Sequence, residues 1–323
     1  MREPTGTPTT TRTTRTEAGT LFVSLQIFGS VLLPLIVIVV LAHLLGRVTQ
    51  IDYRPLARAS FYLFNPCLAF VAMATTVVTP QLLGRLVLFK TVVYLLVAFL
   101  AYVLAGRLNL SMPARSALIL AAASGNSGNL GLPVNEYAFG QAGLALAVIC
   151  YVTDNITINS VGVYIAARGH TSVKQAVLQV FRNPAAYAVP LGLMVNWSGW
   201  TVPVPLMRSL EMMSRAAVPS MLVVLGLELA VLPLARRDWA GVGVASVLRL
   251  LVAPLLGLAL AIPLGLTGLA RQVGVLQVAM PTAVTASIIA ARFETEPNLV
   301  AGSVMVSSLA SLITITGLLT FMS

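Results

Sequence analysis

The sequence predicts an all-α membrane protein of ten transmembrane helices, built as two inverted five-helix repeats whose fourth and ninth helices are broken. Three observations carry that reading. Of 323 residues 58% are apolar, and charge is scarce, at 20 Lys and Arg with 10 Asp and Glu. A soluble domain of this length carries about 80 charged residues. The apolar residues also come in blocks of the ~20 that a helix needs to cross hydrocarbon. Finally, features of the first half recur in the second. The charge deficit excludes a water-soluble enzyme, a nucleic-acid binder and a disordered chain. The net charge of +10 does not restore a nucleic-acid reading, because the basic residues sit singly between apolar blocks, as loop anchors do in a bilayer.

Residues 1–20 are rich in Thr with scattered Arg and hold no apolar run, the composition of a disordered tail. The block from Phe22 to Leu45 is too long for a signal-peptide core, and no small-residue cleavage site follows it, so it is expected to stay as a helix. Nine further spans are expected at 57–79, 82–104, 114–138, 142–166, 184–200, 206–230, 240–264, 271–292 and 297–322. The first repeat then occupies 21–167, a cytoplasmic linker 168–183 and the second repeat 184–323. Eleven Lys and Arg fall on the odd-numbered loops, against seven on the other side with the tail included. That bias places the odd loops in the cytoplasm and both termini outside a cell membrane. Cys67 and Cys150 lie within spans, where free thiols are the ordinary state.

The repeat rests on pairs of residues at near-constant offset. Pro66 and Pro219 are 153 positions apart, Lys90 and Arg249 159, Arg115 and Arg271 156, and Phe139 and Phe293 154. Two units with an odd number of helices must insert in opposite senses, which is the inverted repeat of many secondary transporters.

The fourth span carries the densest polar signal, from Ala122 to Pro133. Gly125, Gly128 and Gly131 lower helix propensity, Pro133 removes a backbone donor, and Asn126 and Asn129 add two amides one turn apart. Freed backbone in a membrane must be repaired by protein or line a wet cavity. Close packing of two helices through small residues is one reading. The other is an unwound midpoint whose amides and half-helix N-terminus meet a negative charge. The ninth span repeats the break with Pro281, followed by Thr282, Thr285 and Ser287, hydroxyls that satisfy freed backbone, the first expectation, or else bind substrate or an ion. At an offset of 154, Met280 stands opposite Asn126 and Ser287 opposite Pro133.

These residues resemble the auxin efflux carrier family, which includes plant auxin carriers and bacterial dicarboxylate permeases. Asn126-Ser127-Gly128-Asn129-Leu130-Gly131-Leu132-Pro133, followed by Phe139-Gly140, is similar to its fourth-helix signature. Ala279-Met280-Pro281-Thr282-Ala283-Val284, running on to Ala291-Arg292-Phe293, resembles its ninth, and Val218-Pro219 to Leu227 its seventh span. The resemblance runs from about residue 22 to 322. It implies the fold of bile-acid symporters and sodium/proton antiporters, with the two broken helices crossing, elevator movement of one bundle against another, and a homodimer. By position Asn126 matches the asparagine that holds the substrate carboxylate, and Pro133 marks the crossover. Ala286 stands where plant auxin carriers have the second crossover proline, and the long cytoplasmic loop of the plant proteins is replaced by the short linker.

The expected substrate-binding residues are therefore Asn126, Asn129, Asp154, Asn159, Met280 and Thr282. The expected helix breaks and crossover comprise Gly125, Gly128, Gly131, Pro133, Pro281, Ala286 and Ser287. Asp154, mid-span, is either a structural acid or a proton carrier. Glu228 is the other candidate acid, and an interfacial position is expected for it because Arg236 follows eight residues later. Lys90 and Arg249, near their helix starts, are expected to reach back to the interface, with a gating ion pair as the alternative. No metal cluster, cofactor motif or converging nucleophile and base is present in the sequence, so an enzyme is not expected. The expected function is a secondary carrier of a small organic anion, mono- or dicarboxylate, with a coupling proton or sodium ion. A carrier of a non-carboxylate substrate on the same fold, or a channel, is the alternative.

Overall fold

The computed structural model describes residues 22–167, 183–232 and 239–322. The Thr-rich tail, most of the linker, His170 and Arg236 and Arg237 lie outside the described residues. The described chain is all-helical, and seven of its helices are long and apolar enough to cross a membrane. They are α1 (Phe22–Thr49), α2 (Arg54–Thr75), α3 (Pro80–Arg107), α5 (Ser127–Ala166), α7 (Val204–Val231), α8 (Trp239–Ala261) and α11 (Pro297–Met322). Four shorter helices complete the described residues: α4 (Met112–Ala123), α6 (Ala185–Ser198), α9 (Gly268–Val278) and α10 (Val284–Arg292). The α5 run is not one straight rod. Gly140 takes φ 65° and ψ −159°, a conformation only glycine adopts at low cost, so the chain turns between the expected fourth and fifth spans.

Helix starts follow local chemistry. Thr79 accepts from the Leu82 amide at the start of α3, and Ser111 from the Ala114 amide at the start of α4, as N-caps do. Prolines occupy the first or second position of α2, α3, α4 and α7, where a missing N–H costs nothing.

The helices pack in two groups. In one, α1 lies against α7, and α2 against α6 and α7. The close crossings use small residues: a Cβ on Gly226 would stand 2.4 Å from the Val39 carbonyl oxygen, and one on Gly192 2.6 Å from that of Phe70. Such contacts replace the hydrophobic driving force that helices lack in lipid. In the other group, α3 packs on α4, α5, α8 and α9, while α11 packs on α4, α8 and α10. Each group takes helices from both halves of the chain. Outward faces stay apolar, with Val37, Leu41 and Leu44 on α1 and Leu95, Phe99 and Tyr102 on α3 exposed. A soluble protein would cover such surface; a bilayer solvates it.

Candidate functional site

Two helix breaks meet near the middle of the second group. Between α4 and α5 the chain is extended at Ser124–Asn126, and between α9 and α10 it is extended around Pro281–Ala283. Gly125 and Thr282 pair antiparallel. The Asn126 amide donates to the Pro281 carbonyl at 2.7 Å, and the Ala283 amide to the Ser124 carbonyl at 2.9 Å. Backbone groups freed by one break are thus satisfied by the other, as a membrane interior requires. The two bonds interchange under a shift of 157 positions, 126 to 283 and 124 to 281. The same shift carries Ser127, the first residue of α5, onto Val284, the first residue of α10.

That register corrects the expected offset of 154 by nearly one turn. Ala283, not Met280, stands opposite Asn126. Met280 is wholly buried, and its carbonyl accepts from Arg249 Nε at 2.8 Å. Thr282 is wholly buried too, its hydroxyl donating to the Ala121 carbonyl at 2.9 Å while its amide donates to Ser307 Oγ at 3.0 Å. Both belong to the frame of the crossing. Pro133 and Ala286 also sit away from the extended residues: Pro133 lies in the first turns of α5 and Ala286 in the first turn of α10. Pro133 still shapes the entry, since it cannot donate and the turn before it is wide, with the Gly131 amide bonding five residues back to the Asn126 carbonyl at 3.0 Å.

A cavity of about 710 Å³ opens on this crossing, between the two helix groups. Of the expected residues, Gly125, Asn126, Gly128, Asn129, Asp154, Asn159 and Ser287 line it, whereas Gly131, Pro133, Met280, Pro281, Thr282 and Ala286 do not. The N-terminal turns of both α5 and α10 face it through Ser127, Gly128, Val284 and Thr285. Asn126 is 5% exposed, and its side-chain amide nitrogen has no partner among the described residues. The glycines permit close approach, since a Cβ would stand 2.9 Å from Arg249 Nη2 at Gly125, 2.8 Å from the Tyr151 ring at Gly128 and 2.6 Å from Gln277 Oε1 at Gly131.

The buried charges correct two expectations. Lys90 and Arg249 do not reach the interface; each is 3% exposed and reaches into the opposite half of the chain. Lys90 Nζ pairs with Asp154 at 2.8 Å and donates to the Gln277 carbonyl at 3.3 Å. Asp154 also accepts from Ser127 Oγ. Arg249 donates to the carbonyls of Ala123 (2.9 Å), Ala122 (3.4 Å), Met280 (2.8 Å) and Val278. One guanidinium therefore caps the C-terminal ends of α4 and α9 together. The negative ends of both half-helices are compensated, and their positive counterparts, the starts of α5 and α10, face the cavity. Glu228, expected at the interface, is buried on the cavity wall and accepts from Asn129 Nδ2 at 3.3 Å.

Sequence reasoning missed a polar layer on the α2 side. Ser60 Oγ donates to Asn65 Oδ1 at 3.2 Å and shares a 3.0 Å hydrogen bond with Ser220, while Asn65 Nδ2 donates to the Tyr151 hydroxyl at 3.2 Å. Ser60, Asn65 and Tyr151 line the cavity, as do Arg54 and Arg58, both exposed. The available signal was the Asn65-Pro66 pair, of which only the proline drew notice.

A crossing of two broken helices over a polar cavity between two helix groups is a carrier's geometry, and the sequence comparison decides the family. The profile described as membrane transport protein matches residues 27–319. The chain belongs to that family, the auxin efflux carrier-like transporters. It is 27% identical over 295 residues to an uncharacterized transporter of Methanocaldococcus jannaschii, covering 88% of this chain and 95% of that one. It is 26% identical over 207 residues to a candidate malonate transporter of Rhizobium meliloti, covering 62% and 64%. A candidate auxin efflux carrier component of rice is 29% identical over 143 residues, covering 42% and 25%. This member of the family is a multi-pass membrane transporter, and its family is one of transporters, not enzymes.

Proposed function

We propose that this transporter is a secondary carrier that binds a small organic anion at the crossover, with malonate-like dicarboxylates the leading class. One observation carries the reading: two half-helix N-termini face one cavity, and Asn126 on its wall keeps a buried side-chain amide nitrogen without a partner among the described residues. A helix start presents free N–H groups and about half a positive charge. Here the opposite ends are already compensated by Arg249, so the field at the cavity side favours an anion. Asn126, Asn129 and the Ser127 turn supply the donors, and Arg54 and Arg58 add cationic charge on the outer part of the wall. The relative named for malonate favours a dicarboxylate over an indole acid as the first probe.

The architecture in this reading is ten spans in two inverted repeats, 21–167 and 184–323. Crossover bonds that interchange under a constant shift support it. So do third-span cations that each reach the other half. Alternating access is an elevator movement of the α3–α5 and α8–α11 group against α1, α2, α6 and α7, the two groups that flank the cavity. The protein lies in the cell membrane with both termini outside, from the loop charge bias. The experiment is counterflow in proteoliposomes loaded with unlabelled malonate, malate, succinate or a monocarboxylate, against a neutral sugar and an amine. Uptake of labelled malonate driven by internal carboxylates alone is the expected result. Counterflow driven equally by the sugar or the amine, or by none of the panel, overturns the anion reading.

A further inference from the structure

Among the described residues four buried Lys, Arg, Asp and Glu side chains stand around the crossover, and three are committed. Lys90 and Asp154 form an ion pair, and Arg249 is taken up by four carbonyls. Glu228 is the fourth. It is 6% exposed, lines the cavity and accepts one hydrogen bond, from Asn129. Among the described residues the one ion pair is Lys90 with Asp154; no cation stands at that distance from Glu228. An ionised carboxylate withdrawn from water without a counter-charge costs several kcal/mol, and inside a membrane such an acid belongs to an ion or proton pathway. Asp154 cannot fill that role as readily, because a proton placed on it would break its pairing with Lys90.

We infer that Glu228 is the proton site of this carrier, taking up a proton as the anion binds at the crossover and releasing it as the anion leaves. The inference rests on the anion reading above. Ionised Glu228 puts a negative charge on the wall that two helix starts prepare for an anion. Protonated, it removes that repulsion. Asn129 connects the two sites, since its amide donates to Glu228 while its own turn lies at the start of α5. When Glu228 takes a proton, that donor is free to turn to the substrate. A hydronium ion on one side gives one proton to a Glu228 carboxyl oxygen, its own O–H bond breaking as the carboxyl O–H forms, and the carboxyl returns that proton to water on the other side. A dianion carried with one proton still moves one net negative charge.

The groups that could share this titration are few. α7 packs against α1, which carries His43 and Arg47, and against α2, which carries Arg54, Arg58, Tyr62 and Cys67. It also meets α5, which brings Asp154, Tyr151, Cys150, Tyr137, Tyr164 and Glu136. Tyr53, just before α2, faces Glu228: burial first and the Glu228 charge second push its phenol above the ordinary range. None of these is a cation paired with Glu228.

The test is calorimetric malonate binding to the detergent-solubilised carrier, from mildly acidic to mildly alkaline buffer in which malonate stays a dianion. Wild-type affinity is expected to fall about tenfold across that range, a coupling of ordinary size, while Glu228→Gln holds the acidic-side affinity throughout. Repeating the titration in buffers of different ionisation enthalpy counts protons in the wild type alone, so the result does not depend on the variant folding. Proton uptake approaching one per malonate is expected on the alkaline side. Malonate binding with no proton uptake, or with the same pH profile in both proteins, overturns the proton site and leaves the anion reading intact. No binding of malonate, malate or succinate at any pH overturns both.

Discussion

The two helix breaks are alike in backbone and unlike in side chains. Each leaves one extended turn, each gives one amide and one carbonyl to the other, and each starts a new helix toward the same cavity. At the first break the cavity-side residues are Asn126, Ser127, Gly128 and Asn129. Their counterparts 157 positions on are Ala283, Val284, Thr285 and Ala286. A crossing therefore needs no asparagine, because the second break manages with Ala and Val. The amides of the first break are surplus to packing, and Asn126 leaves its nitrogen buried and unpartnered. An unmade buried hydrogen bond costs about 1–3 kcal/mol, a penalty that packing alone would not maintain. In the proposed reading the difference separates roles: both breaks build the frame, and the first also reads the ligand.

The largest expected effect tests the part the breaks share. Arg249→Met removes donors from four carbonyls at once, those of Ala122 and Ala123 on α4, Val278 on α9 and Met280 just beyond it. Breaking a buried charged network costs about 3–5 kcal/mol, so the purified variant is expected to melt far below wild type. Arg249→Lys, with a shorter reach and no fork, is expected to recover part of that loss. An unchanged melting temperature in the methionine variant would mean that the C-terminal ends of the two half-helices do not depend on a common cap.

Asn126→Ala probes the part that differs. The substitution deletes an amide nitrogen that bonds nothing else in the described protein, so stability is expected to hold within about 1 kcal/mol. Malonate affinity is expected to fall by about tenfold to a hundredfold, the loss of one or two hydrogen bonds to a charged group. Thermal melting and equilibrium binding on the same preparation measure both. A large drop in stability with intact binding would reverse the assignment and make Asn126 part of the frame.

Much of this was legible in the sequence because a membrane forces chemistry into the open. Apolar block length marks the helices, and Gly, Asn and Pro inside an apolar block mark the first break. The register of the second break was not legible. Pro281 and the Ala-Arg-Phe ending fix it only to within a turn, and an offset of 154 rather than 157 sets Met280 instead of Ala283 opposite Asn126. Long-range partners were equally hidden. Nothing local in Leu248-Arg249-Leu250 says that the guanidinium reaches carbonyls about 30 and 126 positions away. Depth was misjudged for Glu228, Lys90 and Arg249 because distance from a helix end suggests snorkelling, whereas burial depends on which helix stands alongside.

Thr282→Val gives the smallest effect and the sharpest check on the comparison. The hydroxyl bonds the Ala121 carbonyl at 2.9 Å, at the end of α4, and lies off the cavity wall. Valine keeps the shape and removes one neutral donor, which costs about 1 kcal/mol of stability. The amide bond to Ser307 and the pairing with Gly125 are backbone features and survive. Malonate affinity is therefore expected to stay within about twofold of wild type, a shift below the ~1.4 kcal/mol that changes affinity tenfold. A binding loss matching that of Asn126→Ala would place a ligand contact on the second break. The two breaks would then share the reading of the substrate as well as the building of the frame.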